Sequence, residues 1–145
     1  MEFTVQLPFA ELLGLELVRF DSGEAELALT LRDELCNSWS VVHGGVLMTL
    51  LDVAMAHAAR SPNQAGADES LGVVTIEMKT SFMRPGLGRL NARGTLLHRS
   101  ASMAFCEATV RDAQELLVAQ ATGTFKYLKG LPAGGRRIQR PNASD

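Results

Sequence analysis

The sequence has few cysteines, and this scarcity restricts the kind of site that it can hold. Only Cys36 and Cys106 occur among 145 residues, and they form no CxxC pair. Such pairs are typical of zinc and redox sites, and disulfide-rich domains need more cysteines. No HExxH or paired-histidine spacing indicates zinc either. We therefore predict a protein that binds no metal and has no disulfide framework.

Long hydrophobic runs and basic runs are also missing. No apolar stretch reaches the roughly 18–20 residues of a membrane-spanning helix, and residues 1–14 lack the pattern of a signal peptide. The net charge is −2, and no predicted helix or strand carries a basic run, so a nucleic-acid partner is not expected. These absences predict a cytoplasmic protein without a membrane span.

The composition that remains suits one globular domain. Hydrophobic residues make up 46% of the chain and charged residues 21%, and 145 residues are enough for one core. Residues 1–129 are predicted to form this domain. Residues 130–145 contain too little apolar surface to pack, so we expect a flexible C-terminal tail.

Hydrophobic periodicity predicts two helices and six strands. A short helix over 7–13 stops at Gly14, and a long helix is predicted over 45–60. Alternation and turn residues predict strands over 15–20, 23–32, 71–83, 89–97, 103–111 and 115–128. One long helix between two groups of strands favours an α+β fold, an antiparallel sheet with a helix on one face.

The predicted long helix is apolar on almost every side from Val46 to Ala59, with Asp52 in its middle. A surface helix would show a polar stripe, so this helix must be covered on most sides. One sheet can cover one side, and a second subunit could cover another. The pattern therefore favours a dimer.

Asp52 has two interpretations. An unpaired carboxylate taken out of water costs several kcal/mol, so backbone donors or a neighbouring polar side chain could satisfy it. Alternatively Asp52 opens on a pocket, where poor hydration makes it a better base or nucleophile.

His43, Gly44 and Gly45 stand at the head of the same helix. The first N–H groups of a helix lack internal acceptors, and glycines let a substrate approach them, so both glycines could form an oxyanion hole. Asp52 lies about 12 Å further along the helix at ~1.5 Å per residue, too far for one carbonyl to touch both. Two antiparallel helices of a two-fold dimer would remove this difficulty, which predicts an active site shared between subunits.

The segment NSWSVVHGGVLMTLLD carries Asn37, His43-Gly44-Gly45 and Asp52, and it resembles the signature of PaaI-type acyl-CoA thioesterases of the hotdog fold. The resemblance covers residues 8–128. It implies a long central helix wrapped by a curved antiparallel sheet, and a homodimer or dimer of dimers that needs no cofactor. The implied substrate is a small, medium-chain or aryl acyl-CoA, hydrolysed to free acid and CoA.

The resemblance also implies roles for five residues. The Gly44 N–H would polarise the thioester carbonyl, and Asn37 would help to hold the thioester or a water. Asp52 of the partner subunit would act as general base or as nucleophile, and Thr75 would position the water. His43 would fix the loop before the helix by hydrogen bonding.

Two local features bear on these roles. Simple alternation along the strand places Thr75 on one face together with Val73, Glu77 and Lys79. Members of the resembled family commonly have glycine three residues before the histidine, where this chain has Ser40. The loop that carries Asn37 could therefore bend differently, and Trp39 in it could line the acyl or pantetheine path or serve packing alone.

The CoA end of the substrate needs positive charge or free N–H groups for its phosphates. Arg84, Arg99 and Ser100 are predicted to bind it, because the resemblance places the turn after Arg99 near the nucleotide. A solvated strand edge is the alternative interpretation for each arginine, and also for Arg89 and Arg93.

Four other functions share part of this pattern. A hotdog protein that binds acyl-CoA without hydrolysing it is the main alternative, and a structural dimer in which Asp52 pairs with a neighbour is another. His-Gly-Gly also occurs in serine esterases, but the chain has no GxSxG and is too short for their sheet. A hotdog hydratase stays an alternative, although its acid–base pair, an Asp and a His on the same loop and helix, is not found at the expected spacing.

Overall fold

The computed structural model describes residues 1–65, 71–131 and 134–141. Its helices are α1 (Pro8–Leu13) and α2 (Gly44–Arg60). Its strands are β1 (Glu16–Asp21), β2 (Glu24–Thr30), β3 (Gly72–Phe82), β4 (Arg89–Arg99), β5 (Met103–Arg111) and β6 (Leu117–Leu128). Two short 3-10 segments span Asp33–Leu35 and Ser61–Ala65. The predicted elements are all present, with β4 running two residues beyond its predicted end.

All six strands form one antiparallel sheet in the order β1-β2-β4-β5-β6-β3. The strands β1 and β3 are therefore its two edges. Along β6, residues facing the helix are buried and alternate with exposed ones such as Gln120 and Lys126. The predicted α+β arrangement with a helix on one face of the sheet is confirmed.

The long helix α2 lies against the sheet at very short range. A Cβ added to Gly94 of β4 would lie 2.3 Å from the Ala54 carbonyl oxygen of α2, so the helix backbone rests on a strand without a side chain. Leu50, Leu51 and Met55 of α2 are fully buried in this contact. Burying each such side chain contributes about 1.5–3 kcal/mol before entropy is counted.

One side of α2 is left incompletely covered within a single chain. Met48 is 39% exposed, and Thr49, Asp52, Val53 and Ala56 are half-buried. The helix is thus covered on the sheet side and open along one stripe. No helix in the described parts of the chain has both the length and the apolar character needed to cross a membrane.

The segment after β6 runs back over the domain where it is described. The Gln139 carbonyl accepts a hydrogen bond of 2.8 Å from Gln6 N–H. A Cβ at Gly72 would lie 2.4 Å from Ile138 Cδ1, so this isoleucine sits directly on the start of β3. Residues 132–133 and 142–145 lie outside the described residues, and the flexible tail stays a prediction.

His57 is buried on the far side of α2 from Asp52. Its Nδ1 lies 2.8 Å from the Val53 carbonyl oxygen, and the rings of Phe3 and Phe20 pack edge-on with centroids 5.3 Å away. Burial in this apolar setting lowers the pKa of His57 to about 4, against an ordinary value of 6.5. The imidazole is therefore neutral at neutral pH, and it fills space in the core.

We expect acid to unfold the protein partly through this histidine. The neutral ring is favoured in the fold, so its contribution is present above pH 6.5 and is lost as the pH falls towards about 4. The difference between 6.5 and about 4 corresponds to roughly 3 kcal/mol. Urea midpoints measured between pH 4 and 7 should fall more steeply for the wild type than for His57→Gln; equal slopes would contradict the assignment.

Candidate active site

Asp52 faces away from the core and lines a cavity of about 410 Å³ between α1, α2 and β3. Its Oδ1 accepts a hydrogen bond of 2.6 Å from the Thr75 hydroxyl. The carboxylate is half-buried. The sequence left open whether Asp52 is sealed by neighbours or opens on a pocket, and in the structure it borders a pocket. The cavity is lined by Leu7, Pro8, Phe9, Ala10, Met48, Thr49, Asp52, Val53, Thr75 and Met78.

The surroundings of Asp52 shift its proton affinity upwards. Burial raises the pKa of Asp52 above its ordinary value of 3.8, and the hydrogen bond from Thr75 opposes part of that rise. Desolvation dominates because the apolar cavity wall replaces water on one side of the carboxylate. A carboxylate made more basic in this way, beside a hydroxyl that fixes one oxygen, suits a general base or a nucleophile.

The predicted face of β3 was wrong beyond Thr75. Thr75 pairs with Phe125 of β6, and Glu77, two residues later, pairs with Thr124, which is adjacent to Phe125. Ile76 therefore has no partner of its own and forms a β-bulge. The extra residue reverses the alternation, as bulges do. Thr75 and Met78 consequently border the Asp52 cavity, whereas Glu77 bonds Thr124 on the other face of the sheet.

At the head of α2 the two glycines are not equivalent. His43 is the N-cap, and its Nδ1 accepts a 2.8 Å hydrogen bond from Gly45 N–H. This corrects the expectation of two free glycine donors, because the His43 ring already uses one of them. Among the described residues, Gly44 N–H donates no hydrogen bond. His43 thus caps the first turn of α2, and its role in fixing the loop stays a prediction.

The loop before α2 is held by Asn37. Its side-chain oxygen accepts from the Trp39 N–H at 2.8 Å and from the Val41 N–H at 3.4 Å. Ser40 has a φ of +61°, a left-handed conformation that favours glycine. The loop therefore keeps a glycine-like bend despite the serine. The Asn37 oxygen is used within the loop, which leaves its side-chain NH₂ as the group able to reach a ligand.

Gly44 and Asn37 belong to a second cavity, of about 570 Å³. Phe82 closes one side of it, since a Cβ at Gly44 would lie 3.5 Å from the Phe82 ring. The two cavities have no lining residue in common. One chain thus carries Asp52 with Thr75 in one place and Gly44 with Asn37 in another. The second cavity is lined by Asn37, Trp39, Val41, Val42, Gly44, Leu47, Phe82, Arg84, Pro85 and Gly86.

The three residues predicted to hold CoA are not brought together. Arg84 lines the Gly44 cavity, with its Nη1 donating to the Leu117 carbonyl at 2.9 Å. Arg99 stacks over the Tyr127 ring at 4.2 Å and donates to the Asn63 side chain. Ser100 accepts from the Met103 N–H in a turn. Leu117 and Tyr127, which these two arginines contact, are ten residues apart along β6, roughly 33 Å at ~3.3 Å per residue.

Sequence reasoning missed the part of the site that α1 supplies. Leu7, Pro8, Phe9 and Ala10 form one wall of the Asp52 cavity. No motif marks them, because a short amphipathic helix gives the same pattern whether it covers a core or a ligand. In the parts of the chain that the structure describes, no three His, Cys, Asp or Glu side chains cluster closely enough to hold a metal ion.

Comparison with known proteins decides the family. The model of the thioesterase superfamily matches residues 40–119, which include Gly44, Asp52 and Thr75. The chain belongs to the thioesterase superfamily. The medium/long-chain acyl-CoA thioesterase YigI of Salmonella typhimurium is 29% identical over 135 residues, covering 85% of this chain and 87% of that protein. The acyl-coenzyme A thioesterase PaaI of Escherichia coli K12 is 26% identical over 127 residues, covering 86% of each.

Solved structures agree with this thioesterase assignment. The conserved protein PA5202 of Pseudomonas aeruginosa has a TM-score of 0.79 at 32% identity, covering 86% of this chain and 97% of that one. The E. coli PaaI protein has a TM-score of 0.74 at 25% identity, covering 83% of each chain. The predicted hotdog fold of the PaaI type is confirmed, and the protein is a thioester hydrolase.

We expect Thr75→Val to change the pH dependence of this thioesterase. The Thr75 hydrogen bond lowers the pKa of Asp52, so removing it should raise that pKa further. A carboxylate base acts when deprotonated, so the acid limb of kcat/KM should move to higher pH, with a loss of about tenfold or more at neutral pH. Thr49→Val is the matched control, because the Thr49 hydroxyl lines the same cavity but donates to the Gly45 carbonyl. An unshifted acid limb in Thr75→Val would contradict this role.

Proposed function

We propose that the protein hydrolyses acyl-CoA thioesters with a small, medium-chain or aryl acyl group, at sites shared between the two subunits of a homodimer. The observation that supports this most is the division of the site within one chain. The Asp52–Thr75 pair and the unpaired Gly44 N–H lie in two separate open cavities. The names of YigI and PaaI, both acyl-CoA thioesterases, support the substrate class.

The free edge of β3 supports the dimer. This strand has eleven residues, bonds β6 on one side, and has no neighbouring strand on the other within the described ranges. Ile76 and Phe82 are 53% and 51% exposed on it. A long edge strand with exposed apolar side chains is a template for pairing with another chain. Antiparallel pairing of two β3 strands would continue the sheet from one subunit into the other.

The positions along α2 and β3 point to the same two-fold axis. Bringing Asp52 beside the partner's Gly44 requires an axis near Met48, midway between them. On β3, Thr75 borders the Asp52 cavity and Phe82 borders the Gly44 cavity, and their midpoint lies beside Met78. Met48 and Met78 line one cavity. A single two-fold axis near Met48 and Met78 would therefore relate both the two α2 helices and the two β3 strands of the dimer.

In the proposed reaction, Asp52 of one subunit acts as general base on a water that Thr75 helps to place. The water oxygen attacks the thioester carbonyl carbon while its proton passes to the Asp52 carboxylate. The oxyanion that forms accepts a hydrogen bond from the partner's Gly44 N–H at the positive end of its helix. The C–S bond then breaks, the CoA sulfur takes the proton from Asp52, and the free acid leaves. Direct attack by Asp52 with a transient anhydride is the alternative role for the same side chain.

The CoA end would lie along the Gly44 cavity. Asn37 and Arg84 line this cavity. The Asn37 NH₂ would bond the thioester oxygen or the pantetheine, and Arg84 would supply positive charge. A two-fold axis near Met78 would set the partner's Arg84 opposite the start of β3. That start pairs with Tyr127, on which Arg99 stacks. The partner's Arg84 would thus approach Arg99 of this subunit, and the pair would form a site for CoA phosphates.

Asp52→Asn distinguishes hydrolysis from binding alone. The amide keeps the size of the side chain and cannot accept a proton at neutral pH, so turnover should fall about 100-fold or more. Binding of CoA and acyl-CoA, measured by calorimetry, should stay within a few-fold of the wild type. Free-thiol release from a panel of acyl-CoAs is the activity readout. Unchanged turnover would show that Asp52 is not the base, and no wild-type turnover with intact binding would favour the non-catalytic acyl-CoA binder.

Mixed dimers test whether the site is shared. Gly44→Pro removes the free N–H and suits the helix backbone, since proline is favoured at the first position of a helix and His43 before it is extended (φ −64°, ψ 136°). Gly44→Ala is the control, because it keeps the N–H and its Cβ makes an ordinary 3.5 Å contact.

Asp52→Asn and Gly44→Pro should each be nearly inactive alone. Each mixed dimer would hold one intact site, so random re-association should restore about one quarter of wild-type activity. No recovery after proven subunit exchange would exclude the shared site.

A further inference from the structure

We propose that α1 is the wall that selects the acyl group, that Phe9 sets the accepted chain length, and that Arg32 is the positioning residue of that wall. This inference rests on the proposed function and adds the substrate class: apolar acyl groups without a polar terminus. The Asp52 cavity lies between α1 on one side and α2 with β3 on the other. An acyl group whose carbonyl carbon lies near Asp52 must therefore extend along α1.

The cavity offers an apolar acyl group many contacts and a polar one few. Seven of its ten lining residues are apolar, and only Thr49, Asp52 and Thr75 are polar. The Thr75 hydroxyl donates to Asp52, and the Thr49 hydroxyl donates to the Gly45 carbonyl. A hydroxyl or carboxylate at the far end of the acyl group would lose its water without gaining a donor from the described lining residues. Burying a polar group without a partner is costly, so the cavity selects against such substrates.

The six residues of α1 divide into a buried and an exposed side. Ala10 and Leu13 are buried at 3% and 6% exposure and fix the helix to the core. Phe9 and Leu12 are 58% and 69% exposed, yet only Phe9 lines the Asp52 cavity. Phe9 is therefore a large apolar ring at the open side of the cavity. A long acyl chain must pass this ring, whereas a short one ends before it.

A helix this short needs an external anchor, and Arg32 supplies it. An isolated helix of one or two turns is unstable in water. The Arg32 guanidinium donates to the carbonyls of Leu12 and Leu13 at 2.7 and 2.8 Å. Gly14, at a φ of +78°, closes the same end by donating to the Glu11 carbonyl. Arg32 thus holds the end of α1 whose other end forms the cavity wall, without touching the cavity itself.

The first test compares Phe9→Ala with Leu12→Ala over straight-chain acyl-CoAs from butanoyl to palmitoyl. Both variants remove an exposed apolar side chain from α1, but only Phe9 lines the cavity. Phe9→Ala should raise the ratio of long-chain to short-chain kcat/KM by about tenfold or more, the effect of one or a few methylene contacts. Leu12→Ala should leave the wild-type profile unchanged. Coinciding profiles of the two variants would overturn the proposal.

The second test addresses Arg32. Arg32→Ala should raise KM for the preferred acyl-CoA and flatten the chain-length profile while kcat stays near the wild-type value, because Asp52, Thr75 and Gly44 are untouched. Arg32→Lys keeps one donor and should restore part of the selectivity. A profile in Arg32→Ala as sharp as that of the wild type would remove Arg32 from the proposal. So would a purely thermal destabilisation that Arg32→Lys does not relieve.

Binding separates this inference from the proposed function. The same acyl-CoA series is titrated calorimetrically into Asp52→Asn, with and without Phe9→Ala. If the wild type hydrolyses no acyl-CoA but Phe9→Ala still shifts the length dependence of binding, the proposed function is wrong and the role of α1 in selecting the acyl group is retained. If Asp52-dependent hydrolysis is found and Phe9→Ala changes the chain-length profile of neither hydrolysis nor binding, the role of α1 in selecting the acyl group is wrong and the proposed function is retained. An ω-carboxyacyl-CoA turned over as fast as its apolar counterpart would overturn the predicted substrate class.

Discussion

The close contact between α2 and β4 at Gly94 sets the position of the helix that carries both Asp52 and Gly44. Because this residue has no side chain, the Ala54 carbonyl can lie where a Cβ would otherwise stand, and the helix sinks into the sheet. Two residues before Ala54, Asp52 is held beside Thr75 of the edge strand. The tight packing that stabilises the core on one side of α2 thereby fixes the carboxylate on the other, with an accuracy that a loop could not provide.

The same packing leaves an incomplete surface. The sheet covers one side of α2, and among the described residues β3 ends the sheet with a free edge next to the stripe where Met48 and Asp52 lie. An exposed apolar stripe beside a free edge strand is unfavourable for a lone chain, and a second copy would cover both. In the proposed dimer, association also removes water from Asp52. The desolvation that already raises its pKa in one chain would then be stronger in the complete site.

Much of this was predictable from the sequence because local patterns determine it. The alternation of buried and exposed residues and the apolar stretch of α2 gave all helices and strands within a few residues of their observed ends. The bulge at Ile76 was not predictable, since it depends on pairing with β6 and leaves no local mark in the chain. The capture of Gly45 N–H by His43 depends on a side-chain rotamer. The cavity wall of α1 depends on how Arg32, twenty residues away, anchors its last turn.

The rigidity of a helix explains why one chain cannot complete the proposed site. A base and an oxyanion donor must both lie about 3 Å from a single thioester group. Along one helix, Gly44 and Asp52 are held about 12 Å apart by the backbone hydrogen bonds, and no side-chain rotamer closes that gap. A loop could have supplied the second group within the chain, but a loop donor would be less well ordered than the first N–H of a capped helix. Two-fold symmetry supplies the missing half from an identical, equally rigid element. In this arrangement the subunit contact is a condition of catalysis rather than an addition to it.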